Sequence, residues 1–92
     1  MVEITLYPAF VRAFKKCTKS NPTLLVKFKE AVEIFKVNPF DSRLKTHKLS
    51  GKLNSMWSLT INESIRMIYL LQDKDQAYFV DIGTHNEVYK SN

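Results

Sequence analysis

The chain has 92 residues, 45% of them hydrophobic and 25% charged, with a formal net charge of +5 and a single cysteine. A chain this short buries only about 60–65% of its unfolded surface, so one domain spanning residues 1–92 is expected and a divided core is excluded. No apolar run approaches the roughly 20 residues of a membrane span, Glu3 stands where a leader would be basic, and lone Cys17 permits no internal disulfide; a soluble cytoplasmic protein without membrane contact is expected.

Residues 3–7 predict a short strand with Ile4 and Leu6 on one face, and Pro8 stands where the first turn of a helix tolerates it. Over residues 9–19, Phe10, Phe14 and Cys17 recur at helical spacing while Arg12, Lys15, Lys16 and Lys19 fall elsewhere. Cys17 therefore reads as a packing residue. Asn21 and Pro22 predict the N-cap and first position of a second helix. Its apolar stripe runs through Leu24, Leu25, Phe28, Ala31, Val32 and Phe35 to Val37, where Asn38-Pro39 stops it. A turn this short predicts a helical hairpin.

The period then changes. Trp57, Leu59 and Ile61 alternate with Ser58, Thr60 and Asn62, which predicts a strand with Trp57 packed toward the core. Asn62-Glu63-Ser64 predicts a tight turn. Residues 65–71 are apolar on both faces except at Arg66, as in a central strand, and residues 73–76 lead to a last strand over 77–82 ended by Gly83. Residues 84–92 are left as a tail of one turn or extended chain. The expected class is α+β, with a helical hairpin on one face of the sheet.

Charge is unevenly distributed. Residues 1–52 hold eleven Lys/Arg against four acids, a balance of +7, and residues 53–92 hold three against five, a balance of −2. From Arg43 through Lys45, His47 and Lys48 to Lys52 there is no acidic residue, which suits contact with a polyanion such as RNA. Two histidines far apart in sequence and one cysteine do not make a metal set, so no metal or other cofactor is expected.

Three segments carry a resemblance: His47-Lys48-Leu49-Ser50-Gly51, Ile65-Arg66-Met67-Ile68-Tyr69, and Asp81-Ile82-Gly83-Thr84-His85-Asn86-Glu87-Val88-Tyr89. In this order and spacing they resemble the RelE/ParE superfamily of bacterial toxins, and His-X-Leu-X-Gly with Gly-Thr-His is similar to its YafQ-like branch. The resemblance covers most of the chain and implies the RelE-like β-α-α-β-β-β order, with the N-terminal strand and helical hairpin packed on an antiparallel sheet.

It also implies a type II toxin that enters the ribosomal A site and cleaves mRNA without a metal, the 2′-hydroxyl of one nucleotide attacking its own 3′-phosphate. Such a reaction needs a base, an acid and positive charge around the phosphorane. The resemblance places His47, Arg66, His85 and Tyr89 in the site. His85 is expected as general acid, His47 as base or phosphate contact, Arg66 as a phosphate grip and Tyr89 as a base-orienting ring. Arg43, Lys45, Lys48 and Lys52 are expected to bind RNA. Thr60, Ser64 and Ile65 depart from the branch, which carries further polar and aromatic groups there, including a histidine and an aspartate. The implied partners are a cognate antitoxin, the ribosome and mRNA. Competing readings are a ParE-like gyrase poison without nuclease activity and a non-catalytic nucleic-acid-binding module.

Overall fold

The computed structural model of the chain describes residues 1–50, 55–73 and 75–89. In chain order these form β1 (Glu3–Leu6), α1 (Pro8–Thr18), α2 (Pro22–Val37), a 3-10 turn (Ser42–Leu44), β2 (His47–Lys48), β3 (Met56–Thr60), β4 (Ile65–Asp73), β5 (Gln76–Thr84) and α3 (His85–Tyr89). The α+β class holds.

Both long helices start where their prolines predict. Pro8 and Pro22 occupy first-turn positions, and the Asn21 side chain accepts the Leu24 N–H at 3.1 Å. Helix α2 stops at Val37 because Asn38 is extended ahead of Pro39, its N–H still closing onto Ile34 O at 3.0 Å.

The sheet runs β1-β5-β4-β3-β2, so β4 is central. The meander β2 to β5 is antiparallel, whereas β1 joins as an edge strand parallel to β5, Glu3 opposite Gln76 and Leu6 opposite Phe79. A parallel neighbour needs a crossover connection, and the hairpin α1–α2 with the rest of the chain supplies it. Strand β5 also runs longer than its apolar residues predict, because Gly83 and Thr84 still pair with Arg66 and Ile65.

The core lies between the helices and one sheet face. Phe79 is its hub, with ring centroids 5.4 Å from Phe10, 5.5 Å from Phe35 and 6.4 Å from Phe28. Tyr69 meets Phe35 edge to face at 5.0 Å. Leu24, Leu59, Met67 and Ile82 complete this layer. Each such side chain, moved from water to the interior, contributes about 1.5–3 kcal/mol. Trp57 packs partly buried against this core and meets Phe40 edge to face at 5.1 Å. Cys17 is half-buried against β5, its Sγ 3.8 Å from Ile82 O, and burial pushes its thiol up.

Candidate functional site

Residues directly opposite on neighbouring strands point to the same face. His47 pairs with Ser58 and Ser58 with Ile68; Thr60 pairs with Arg66 and Arg66 with Gly83. These residues therefore share the face turned away from the long helices. Strand β4 is apolar on the helix side through Met67 and Tyr69, so Arg66, the charged interruption in its pattern, is directed to the opposite side.

The small helix α3 closes over that face. A Cβ added at Gly83 would lie 2.9 Å from Glu87 Oε1, 3.3 Å from Glu87 Cβ and 3.5 Å from Val88 Cγ1, so glycine permits the close approach. The helix begins with a reciprocal cap: Glu87 Oε1 accepts the Thr84 N–H at 2.9 Å, and Thr84 Oγ1 accepts the Glu87 N–H at 3.2 Å. The Thr84 N–H and hydroxyl hold the Glu87 carboxyl below the usual carboxylate range. Ser/Thr-X-X-Glu is a readable helix-start signal, and of the two expectations for the tail, one turn or extended chain, the short helix is the first. His85 and Tyr89, one turn apart on α3, stack edge to face at 4.3 Å.

His47 lies on the edge strand β2. Its Nε2 is 3.1 Å from Ser58 Oγ, and Ser58 is 0% exposed although its strand alternation assigned it to the solvent side. Lys45 precedes the strand in the left-handed region at φ 51°, which turns the chain out of the 3-10 turn. A non-glycine residue there costs about 1–2 kcal/mol.

A cleft of about 780 Å³ opens at one end of the sheet, lined by Lys27, Arg43, Lys45, Thr60, Asn62 and Arg66 among others. The Asn62 side chain caps the β3–β4 turn, accepting the Ser64 and Ile65 N–H groups at 2.9 and 2.8 Å. Arg66 Nη1 donates to Asn62 O at 2.9 Å and to Glu63 O at 3.3 Å. The arginine is thus oriented by backbone carbonyls, with no acidic partner among the described residues. Arg43 is different. Its Nε and Nη2 each donate to the Asp41 carboxylate at 2.9 Å, and this guanidinium holds the Asp41 carboxyl down at about 2. Asp41 stands just outside the acid-free stretch, so the sequence pattern concealed that pairing.

Arg43, Lys45 and Arg66 are therefore brought into one cleft, joined by Lys27 of α2, which the sequence did not single out. His47, Arg66 and the α3 pair His85–Tyr89 share one sheet side. Strands β2 and β5 are three strand spacings apart, about 14 Å, and α3 folds back against β4 across part of that width. Lys48 pairs with Trp57 and so points to the other face from His47. Lys52 lies outside the described residues, as does Gly51 of the first motif. Thr60 lines the cleft, Ser64 lies in the turn, and Ile65 heads β4 opposite Thr84. Among the described residues no group of three His, Cys, Asp or Glu side chains is placed to hold a metal ion, and no helix is long and apolar enough to cross a membrane.

This sheet with its helical hairpin and short C-terminal helix is the fold of the RelE, YoeB and YafQ toxins. The profile of one family, the YafQ bacterial toxin of type II toxin-antitoxin systems, matches residues 2–90, and the chain belongs to that family. A mutant of YafQ from E. coli superposes with a TM-score of 0.78 at 20% identity, over 97% of this chain and 99% of that one. A copper-bound mutant toxin from Helicobacter pylori gives 0.76 at 23%, over 97% and 100%. A YoeB/ParE toxin from Agrobacterium tumefaciens gives 0.78 at 15%, over 91% and 99%. A search of curated protein sequences gave no match.

Proposed function

We propose that this toxin is a metal-independent endoribonuclease that cleaves mRNA in the ribosomal A site and so halts translation in the cytoplasm. The observation that carries the proposal is the shared sheet side: two histidines lie on the same side as an arginine oriented by carbonyls, and that arginine lines a cleft together with Lys27, Arg43 and Lys45. General acid–base transfer of RNA's own 2′-hydroxyl onto the adjacent phosphate needs those groups and no others. The 2′-hydroxyl oxygen bonds to phosphorus, the bond to the 5′-oxygen of the next nucleotide breaks, and a 2′,3′-cyclic phosphate remains.

His85 donates the proton to the departing 5′-oxygen, with Tyr89 holding its ring and offering a face to the neighbouring base. Arg66 binds the phosphate through the guanidinium N–H groups not used by the turn carbonyls. His47 works on the other side of the phosphate, as base for the hydroxyl or as donor to a phosphate oxygen. Lys45, Lys52 and Arg43 bind the RNA backbone, with Arg43 giving up its Asp41 bridge to do so, whereas Lys48, on the other face from His47, lies outside this contact.

A cognate antitoxin restrains the toxin. E. coli YafQ is known in complex with DinJ, and Staphylococcus aureus YoeB in complex with YefM. An acidic, partly disordered segment would complement the basic first half of this chain.

The test is primer extension on a defined mRNA in a purified translation system, with and without ribosomes, for wild type and His85→Ala. Cuts that need ribosomes and vanish in the variant support the reading. A folded wild type that makes no cuts refutes it, and gyrase inhibition is then the next assay.

A further inference from the structure

Ser58 is a polar side chain at 0% exposure, and among the described residues its hydroxyl has one hydrogen-bond partner, His47 Nε2 at 3.1 Å. A hydroxyl that cannot reach water must place its proton on an acceptor, because an orphaned buried donor costs about 1–3 kcal/mol. The neutral imidazole has one acceptor nitrogen and one N–H. We infer that Ser58 donates to His47 Nε2, fixes the neutral ring with its proton on Nδ1, and thereby makes His47 a hydrogen-bond donor to a substrate phosphate oxygen and not the general base.

The geometry leaves little freedom. His47 and Ser58 are register partners at the sheet edge, so their Cβ atoms face each other across one strand spacing, and strand β3 holds the hydroxyl in place. The αL turn at Lys45 fixes the entry of β2. With Nε2 committed to the protein, the exposed side of the ring presents Nδ1–H and has no lone pair for the 2′-hydroxyl proton, which passes instead to a non-bridging oxygen of the attacked phosphate or to water. Ser58 is a positioning residue: it acts through His47 and touches no substrate. The role given to the Nδ1–H rests on the ribonuclease reading above; the tautomer does not.

The tautomer is read directly from the ring ¹⁵N shifts of His47 in the full-length protein at a pH where histidine is neutral, for wild type, Ser58→Ala and Ser58→Thr. Alanine nearly matches serine in volume, and threonine keeps the hydroxyl. The expected result is protonated Nδ1 in wild type and Ser58→Thr, with a shift toward the Nε2–H form common in water for Ser58→Ala. A wild type with protonated Nε2, or a tautomer unchanged in Ser58→Ala, overturns the inference. This readout needs no RNA, so it stands apart from failure of the nuclease reading. In the ribosome assay, Ser58→Ala should lower kcat about tenfold and Ser58→Thr should restore it; equal rates for all three would show that the tautomer does not serve catalysis.

Discussion

Adding one methyl at Gly83 tests whether the α3 pair His85–Tyr89 works only when the helix lies close on the sheet. The new Cβ would stand 2.9 Å from Glu87 Oε1 and 3.3 Å from Glu87 Cβ. The carboxylate can swing away, but it then abandons the Thr84 N–H that it accepts at 2.9 Å. The Cβ contact is relieved only when α3 lifts by a few tenths of an ångström. Losing the cap costs about 1 kcal/mol, which lowers the melting temperature by roughly 4–8 °C in a domain of this size. The catalytic effect is larger. A misplacement of 1 Å can cost about 100-fold, so a smaller lift of His85 should cost about tenfold in mRNA cleavage by Gly83→Ala, and more for Gly83→Val. Primer extension beside a thermal melt separates the two effects. Wild-type cleavage by Gly83→Val would refute the reasoning, and so would a loss of cleavage that merely tracks unfolding.

Lys45→Gly should keep stability within about 1 kcal/mol of wild type or raise it, because relief of the left-handed strain offsets the added freedom of the unfolded chain. The same variant should flatten the salt dependence of single-stranded RNA binding by about 0.7 in log–log slope, measured by fluorescence anisotropy. Tyr69→Phe removes a buried hydroxyl that has no hydrogen-bond partner among the described residues, and burial pushes the Tyr69 phenol up to about 12. The raised value means that the neutral phenol's contribution is intact below pH 10 and lost between pH 10 and 12; urea unfolding should show wild type losing about 2–3 kcal/mol there and the variant sparing that loss. In a carboxyl NMR titration, Asp41 should have its midpoint at about 2, and Arg43→Ala should return it toward 3.8. The bridge is therefore present above about pH 4 and lost as pH falls through 2, and an unmoved midpoint in the variant would exclude the Arg43 guanidinium as its cause and leave the residue-43 backbone N–H.

Much of the fold was legible because it rests on local signals. Asn21-Pro22 announced α2, the alternation of Trp57, Leu59 and Ile61 gave β3 and its inner face, and Arg66 stood out as the charge in an apolar strand. What escaped depends on distant partners. Strand β2 has two residues, too few for any period, so nothing local showed that His47 and Lys48 point to opposite faces. Ser58 falls at an outward position of its strand, yet burial on the second face removes it from solvent. The parallel place of β1 beside β5 is decided by packing at opposite ends of the sequence. Helix α3 was left open between one turn and extended chain because five residues carry too weak a period to decide, although Thr84 and Glu87 form a capping box.

The pairing of residues 3–6 with residues 76–79 closes nearly the whole chain into one cooperative unit. Contacts between such distant segments form late, after the loop-closure entropy of nearly the whole chain has been overcome. The strand that carries α3 is therefore anchored by the residues farthest from it in sequence, and the candidate site depends on the whole fold being in place.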